Sequence, residues 1–144
     1  MERLLDRYLR DEALPNVPLH PHQHAYQAGK SVETAFHHLV VRVEKALDQK
    51  QIALGAFLDI EGAFNNTCYD TMCDALVRHG SEYTIVRWIK ANLERRVAIA
   101  TLDDISLRFV ISCGCPQGGV LSPFLWCLVV NDLLTRLSRG GVFI

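Results

Sequence analysis

Ala53-Leu54-Gly55-Ala56-Phe57-Leu58-Asp59-Ile60-Glu61-Gly62-Ala63-Phe64-Asn65-Asn66 is the stretch whose reading decides the fold. Ile52 to Leu58 carries almost no polar side chain and stops at an aspartate, Asp59. A short, bounded apolar run predicts a strand buried on both faces, with Gly62 and Asn65-Asn66 marking a turn after it. An aspartate at the rim of such a strand is costly to bury unless a cation or hydrogen bonds compensate it. Asp59 is therefore the first candidate metal ligand, although an Asp closing a strand is, taken alone, more often a cap. Ile60 has only its backbone carbonyl to offer a metal. Glu61-Gly62-Ala63 supplies small residues and N–H groups suited to approaching a triphosphate. Phe64 follows where a bound nucleotide would meet the protein, and an aromatic there excludes a 2′-hydroxyl. A lone Phe after a strand is otherwise a core residue.

A second signal comes some fifty residues later, in Cys115-Pro116-Gln117-Gly118-Gly119-Val120-Leu121-Ser122-Pro123. Two adjacent glycines permit positive φ and close approach of backbone to a ligand. Gln117 carries both a donor and an acceptor, which suits it to a sugar hydroxyl or a template strand. By itself the pattern equally fits an ordinary turn into a helix. Gly29-Lys30-Ser31 has the ending of a phosphate loop, but His24 stands where the upstream glycine is required.

Composition sets the frame for both signals. The chain has 144 residues, room for one domain, and 49% of them are hydrophobic, enough for a core. No apolar run reaches the roughly eighteen residues of a membrane span, and the charged start MERLLDRYLRDE does not fit a signal peptide. An intracellular protein, in cytoplasm or nucleus, with reduced thiols is expected. The five cysteines show no disulfide rhythm, and Cys113-Gly114-Cys115 is spaced more tightly than a zinc knuckle even with His20, His22 and His24 nearby. Packed thiols are the default. The net charge is −1, with no strongly basic stripe. Arg87, Lys90, Arg95 and Arg96 come nearest to one and read as a solvated helix face.

Periodicity places the remaining elements. Leu4, Leu5, Tyr8 and Leu9 give a helical stripe within residues 1–13, after which Pro15, Pro18 and Pro21 predict extended chain. Ser31 caps an amphipathic helix whose apolar face runs from Val32 through Phe36, Leu39, Val40 and Val43 to Leu47. Further helices are expected from about Tyr69 to His79, stopped by Gly80, and from about Glu82 to Leu93. In the first, Tyr69, Met72, Cys73, Leu76 and Val77 point inward; in the second, Val86, Ile89 and Leu93. Val97 to Leu102 and Ile105 to Cys113 flank Asp103-Asp104 as a β-hairpin with one buried face. Ser122-Pro123 then opens a helix that is apolar all round and should run through the middle of the fold.

Taken together, HAYQAGKSVETAFHHLV (24–40), ALGAFLDIEGAFNNT (53–67) and GCPQGGVLSPFLW (114–126) resemble the reverse transcriptases of non-LTR retrotransposons, especially the jockey-like group. The resemblance implies an α+β fold, a partial right-hand polymerase fingers–palm unit with helices packed on a small, mainly antiparallel sheet. It implies RNA-directed DNA polymerase chemistry, with nucleotidyl transfer by two Mg2+ in the complete protein and RNA template, DNA primer and dNTP as partners. Carried over residue by residue, Asp59 is similar to the first catalytic metal-binding aspartate and Ile60 to the carbonyl ligand beside it. Glu61, Gly62, Ala63 and Phe64 fall at the nucleotide, Phe64 as the sugar-discriminating aromatic. Gln117 and Gly118 match the loop that positions nucleotide and template.

The departures shape the expectation. The family's aromatic-Ala-Asp-Asp hairpin belongs beyond Gly140 and is not reached by Ile144, so residues 1–144 read as late fingers and first palm without the second catalytic motif or thumb. The basic fingers segment upstream is absent, and Asn65 stands where the family has Asp. With Asp59 the one obvious metal-binding carboxylate, two Mg2+ should not be held stably, and no polymerase activity is expected from this chain alone. The uncovered strand predicts marginal stability and self-association. The alternative is a domesticated, non-catalytic RNA- or protein-binding module of palm-like shape. A viral RNA-directed RNA polymerase fits less well because of Phe64.

Overall fold

The computed structural model describes residues 1–140, and the segment beyond Gly140, where the second catalytic motif is expected, lies outside them. The described residues are helix-rich, with one two-stranded antiparallel sheet. An N-terminal helical stretch comprises α1 (Glu2–Tyr8), a π turn (Leu9–Ala13) and α2 (Leu14–Asn16). α3 spans Val32–Asp48, α4 Ala63–Asn66, α5 Tyr69–Arg78 and α6 Tyr83–Glu94. β1 (Val97–Leu102) and β2 (Ile105–Val110) form the hairpin, and α7 spans Ser122–Arg139.

The core is a three-helix packing with the N-terminal stretch laid over it. α7 contributes Phe124, Leu125, Cys127 and Leu128, α5 Met72, Cys73, Ala75 and Leu76, and α6 Val86, Ile89 and Leu93, all buried. Leu9 seals the group at 0% exposure. These positions recur at three- and four-residue spacing, so each helix offers one apolar stripe to the others. α5, not α7, is the middle element, packed on α6 on one side and α7 on the other; α7, expected to run through the middle because it is apolar all round, buries one stripe and leaves Leu133 42% exposed. Val77, expected inward, is 57% exposed; the stripe of α5 is narrower than its apolar letters, because Ala75 takes the inward place on that side.

The N-terminal helix continues past Pro15, where extended chain is expected. The π turn makes this feasible: Leu14 N–H bonds the carbonyl of Leu9, five residues back, and the widened turn precedes the residue that has no N–H to give. Arg10 then pairs with Asp6 at 3.0 Å and lies over the Phe124 ring at 5.2 Å, which docks this stretch on α7.

Two expectations fail, and they share a cause. Ile52 to Leu58 is not a buried strand but irregular, exposed chain, with Ile52 and Leu54 each 96% exposed. A strand requires a ladder partner. The one described sheet pairs β1 with β2, from Val97↔Val110 to Leu102↔Ile105, and includes no part of 52–58. The hairpin is present, with β2 ending at Val110 rather than Cys113, but Ile105, Leu107 and Phe109 are all more than half exposed, so its expected buried face is open. Likewise α3 forms behind a Ser31–Thr34 capping box and buries no residue. Apolar faces are thus legible in all three elements, and the described residues supply no surface to cover them.

The extended passage before α3 is tied to α7 by side chains. His79 Nδ1 donates to the Val17 carbonyl (3.1 Å), its Nε2 accepts from Asn131 Nδ2 (3.2 Å), and Asn131 Oδ1 accepts from His20 N–H (2.6 Å). Gln23 donates to the Cys127 carbonyl at 3.0 Å, and His24 bonds the Thr34 hydroxyl at 2.8 Å. Burial, aided by neighbouring cations and imidazoles, lowers the pKa of both His20 and His24 from the usual imidazole value. A histidine held neutral by folding contributes stability that is present above its unfolded pKa of about 6.5 and is lost as pH falls below it. The urea midpoint should therefore drop between pH 7.5 and 5.5, and the drop should shrink in His24→Gln. An unchanged or higher midpoint at pH 5.5 would contradict this packing.

All five cysteines are free thiols; Cys73, Cys115 and Cys127 are buried, Cys113 is half-buried and Cys68 is exposed. Burial pushes the Cys115 thiol up to about 11, against weaker downward pulls from Arg96 and Ser122. Native-state labelling with a thiol disulfide reagent at pH 8 should modify Cys68 first and Cys113 second. The remaining three should react only on unfolding; rapid modification of all five in the native protein would overturn the core assignment.

Candidate nucleotide site

The two sequence signals meet through backbone. Gly62 opens the single turn of α4, and Thr67 closes it by donating its hydroxyl to the Ala63 carbonyl at 2.7 Å. The carbonyls that α4 leaves exposed are then taken by the segment before the second signal. Cys115 N–H donates to the Phe64 carbonyl at 2.6 Å and Gly114 N–H to the Thr67 carbonyl at 2.8 Å. Cys113 Sγ adds a bond to the Asn65 carbonyl at 3.3 Å.

This approach is so close that position 114 must lack a side chain. A Cβ there would fall 2.7 Å from the Phe64 oxygen and nearer still to that of Asn65, and φ is +78°. Side chains follow the backbone: the Phe64 ring lies 6.1 Å from the Trp126 ring on α7. Phe64 is half-buried in this contact.

The turn beyond it is well defined. Gly119 N–H bonds the Pro116 carbonyl at 2.9 Å, and Gly118 has φ +83°. Positive φ at the third position with that bond is a type II turn, which needs glycine there. Ser122, the first residue of α7, donates its hydroxyl to the same Pro116 carbonyl at 2.7 Å. Gln117 and Gly118 therefore stand exposed at the tip of a braced turn.

Arg96 is the brace on the other side. Its Nη2 donates to the Tyr69 hydroxyl (2.9 Å), the Cys113 carbonyl (3.0 Å) and the Gly114 carbonyl, while Nε reaches the Leu93 carbonyl at 3.2 Å. Its guanidinium also lies 5.5 Å from the Tyr69 ring centroid. Tyr69 in turn donates to the Ile111 carbonyl at 2.9 Å. One cation thus gathers the end of α6, the start of α5 and the chain leading to the turn. The solvated-face reading of Arg87, Lys90, Arg95 and Arg96 is wrong for Arg96, which is half-buried. Sequence carried one unused sign of this: Arg96 follows the last turn of α6, where freed carbonyls call for donors. Tyr69, Gly114 and Cys113 were likewise not singled out as site-forming.

The acidic end of the first signal is less enclosed. Asp59, Ile60 and Glu61 lie on exposed chain, with the Glu61 carbonyl accepting a 3.4 Å bond from Asn66 Nδ2. Among the described residues no three His, Cys, Asp or Glu side chains are grouped to hold a metal ion. Asp59 with the Ile60 carbonyl therefore does not by itself amount to a divalent-cation site. No helix among the described residues is long and apolar enough to cross a membrane.

The model of the family described as reverse transcriptase (RNA-dependent DNA polymerase) matches residues 1–144. The chain is 32% identical over 135 residues to the Pol polyprotein of type-1 retrotransposable element R1 of Bradysia coprophila, an alignment covering 93% of this chain and 13% of that protein. It is 29% identical to the probable RNA-directed DNA polymerase of transposon BS of Drosophila melanogaster (92% and 15%). Identity is also 29% to the RNA-directed DNA polymerase of mobile element jockey of Drosophila melanogaster, with 94% of this chain and 15% of that protein aligned. The chain thus spans less than a sixth of the length of these three relatives. With both signals inside the matched region, the chain belongs to the reverse transcriptase family, on its non-LTR retrotransposon branch.

Proposed function

We propose that this chain is the late-fingers and first-palm part of an RNA-directed DNA polymerase, copying RNA onto a DNA primer with dNTPs inside the cell. The observation that carries the reading is the docking of the Phe64, Asn65 and Thr67 carbonyls on Cys113–Cys115, which sets the first signal beside the Gln117-Gly118 turn. A ring fixed against Trp126 makes Phe64 a rigid sugar gate, because an aromatic held by packing rejects a 2′-hydroxyl better than a mobile one. Glu61, Gly62 and Ala63 present backbone to the triphosphate, and Gln117 presents an amide at the turn's tip to nucleotide or template.

Reverse transcriptases work with divalent metal ions, and Mg2+ is the ion inferred here. Asp59 would supply such an ion with one carboxylate and Ile60 with a carbonyl oxygen. Bound there, the ions would stabilise the charge that develops in phosphoryl transfer.

Primer extension on an RNA template tests this in an element-length polymerase that carries the segment. Asp59→Asn should lower extension at least about 10²-fold, the order seen on losing one electrostatic stabiliser. Phe64→Val should raise ribonucleotide use relative to deoxyribonucleotide use. Undiminished extension by Asp59→Asn would remove Asp59 from the chemistry. The 144-residue chain alone is expected to give no product with Mg2+; template-dependent product would contradict its inactivity.

A further inference from the structure

The opening helix reaches the Gln117-Gly118 turn from the far end of the chain. Glu2, Leu5 and Leu9 share one face of the N-terminal stretch at helical spacing. Leu9 is fully buried and Leu5 packs against the core, while Arg10 over the Phe124 ring fixes the stretch on α7. Glu2 is thereby carried one turn beyond Leu5, to the start of α7. There its Oε2 accepts the Val120 N–H at 3.2 Å, across 118 residues of sequence. Glu2 also walls a narrow crevice with Ile89, Leu93, Pro116, Leu121 and Ser122. At about 10 Å³ the crevice is far too small for a ligand, so the carboxylate serves the turn and not a bound molecule.

This contact completes a brace that is otherwise one-sided. The Pro116 carbonyl is held twice, by the Gly119 N–H at 2.9 Å and by the Ser122 hydroxyl at 2.7 Å. On the other arm of the turn, the Val120 N–H is held by Glu2. α7 has no side-chain cap of its own, and a carboxylate is favoured where the free N–H groups and the dipole of a helix N-terminus point. The bond faces solvent, so water competes for both partners. Its effect is on the orientation of the turn more than on the stability of the fold.

We propose that Glu2 is a positioning residue for nucleotide addition: its carboxylate fixes Val120, and with it the angle at which Gln117 and Gly118 leave α7. A tip free to pivot about Pro116 would present the Gln117 amide to nucleotide or template over a range of angles, and such slack weakens binding before it slows chemistry. The inference rests on the polymerase reading of Gln117. Glu2 acts through the turn and is assigned no contact with substrate.

The test is steady-state primer extension on an RNA template in the element-length polymerase, with KM for dNTP and kcat separated. Glu2→Ala should raise KM about five-fold, the order of one solvent-facing bond to a charged group, and leave kcat within about two-fold. Glu2→Gln keeps an acceptor oxygen and should restore most of the loss, whereas Glu2→Asp keeps the charge one methylene short and should not. Glu12→Ala removes the same charge from the same stretch and should leave both constants unchanged. In the 144-residue chain, Glu2→Ala should keep the wild-type urea midpoint; a lowered midpoint would make Glu2 a fold-stabilising residue and overturn the proposal. On a Gln117→Ala background Glu2→Ala should add nothing, because both act through one turn. A neutral Glu2→Ala, no rescue by Glu2→Gln, or additivity with Gln117→Ala would overturn the proposal alone. A neutral Gln117→Ala would instead remove the reading of Gln117, and this inference with it.

Discussion

Replacing Gly114 with valine should destabilise the fold by at least about 3 kcal/mol, the combined order of a left-handed conformation forced on a branched residue and a backbone clash. The clash is with carbonyls that form the joint between the two motifs, so relaxing it means parting α4 from the Cys113–Cys115 segment. Thermal unfolding of Gly114→Val, Gly114→Ala and Gly114→Asn separates the two contributions. Asparagine tolerates positive φ but still brings a Cβ, so it should recover only a minor part of the loss. Full stability of Gly114→Asn would mean that the close approach to Phe64 and Asn65 is not there.

Arg96→Met carries the second large effect, expected at about 2–4 kcal/mol. The methionine keeps most of the aliphatic packing, while the carbonyls of Leu93, Cys113 and Gly114 lose a charged donor, each such bond being worth about 1.5–3 kcal/mol before allowance for solvent access. Arg96 is only half-buried, so water recovers part of that, and the sum of separate bonds overstates the loss. Arg96→Lys retains the charge without the planar fork and should recover less than half of the deficit. Tyr69→Phe should cost about 1 kcal/mol, and because its hydroxyl joins Arg96 directly, the double variant should be non-additive. Urea unfolding of the four proteins measures this, and strict additivity would show that the two side chains do not act as one clamp.

How much of this was legible in the sequence depends on what each element needed. α5 and α6 are legible to within a residue or two, and α7 at its start, because their apolar stripes repeat at helical period and Gly80, Ser122 and Pro123 mark ends; the extension of α7 past Val130 to Arg139 carries no such mark. The hairpin was legible from the alternation Ile105, Leu107, Phe109 around Asp103-Asp104. Ile52 to Leu58 was misread because an unbroken apolar run specifies burial without specifying a partner, and strands exist only as pairs. The same holds for the face of α3. Letters report what a segment would bury, and the described residues decide whether anything is there to bury it against.

The candidate site divides along a similar line. Phe64, Gln117 and Gly118 stood out by residue type and spacing. The groups that join them did not, since Gly114, Arg96 and Tyr69 act through carbonyl oxygens, which every residue carries alike. A donor's choice among identical acceptors is set by tertiary position, and no local pattern marks it. Asp59 remains an assignment by kinship and chemistry, resting on exposed chain five residues before the joint.

The contact between the Phe64 ring and the Trp126 indole is the side-chain signature of that joint, at 6.1 Å between centroids. A nuclear Overhauser spectrum of the isotope-labelled chain should show cross-peaks between the aromatic protons of these two residues, with the Gly114 and Cys115 amides slow to exchange. Cross-peaks absent from a folded sample, with those amides exchanging as fast as residues 52–58, would mean the two motifs do not meet and would contradict the site as a whole.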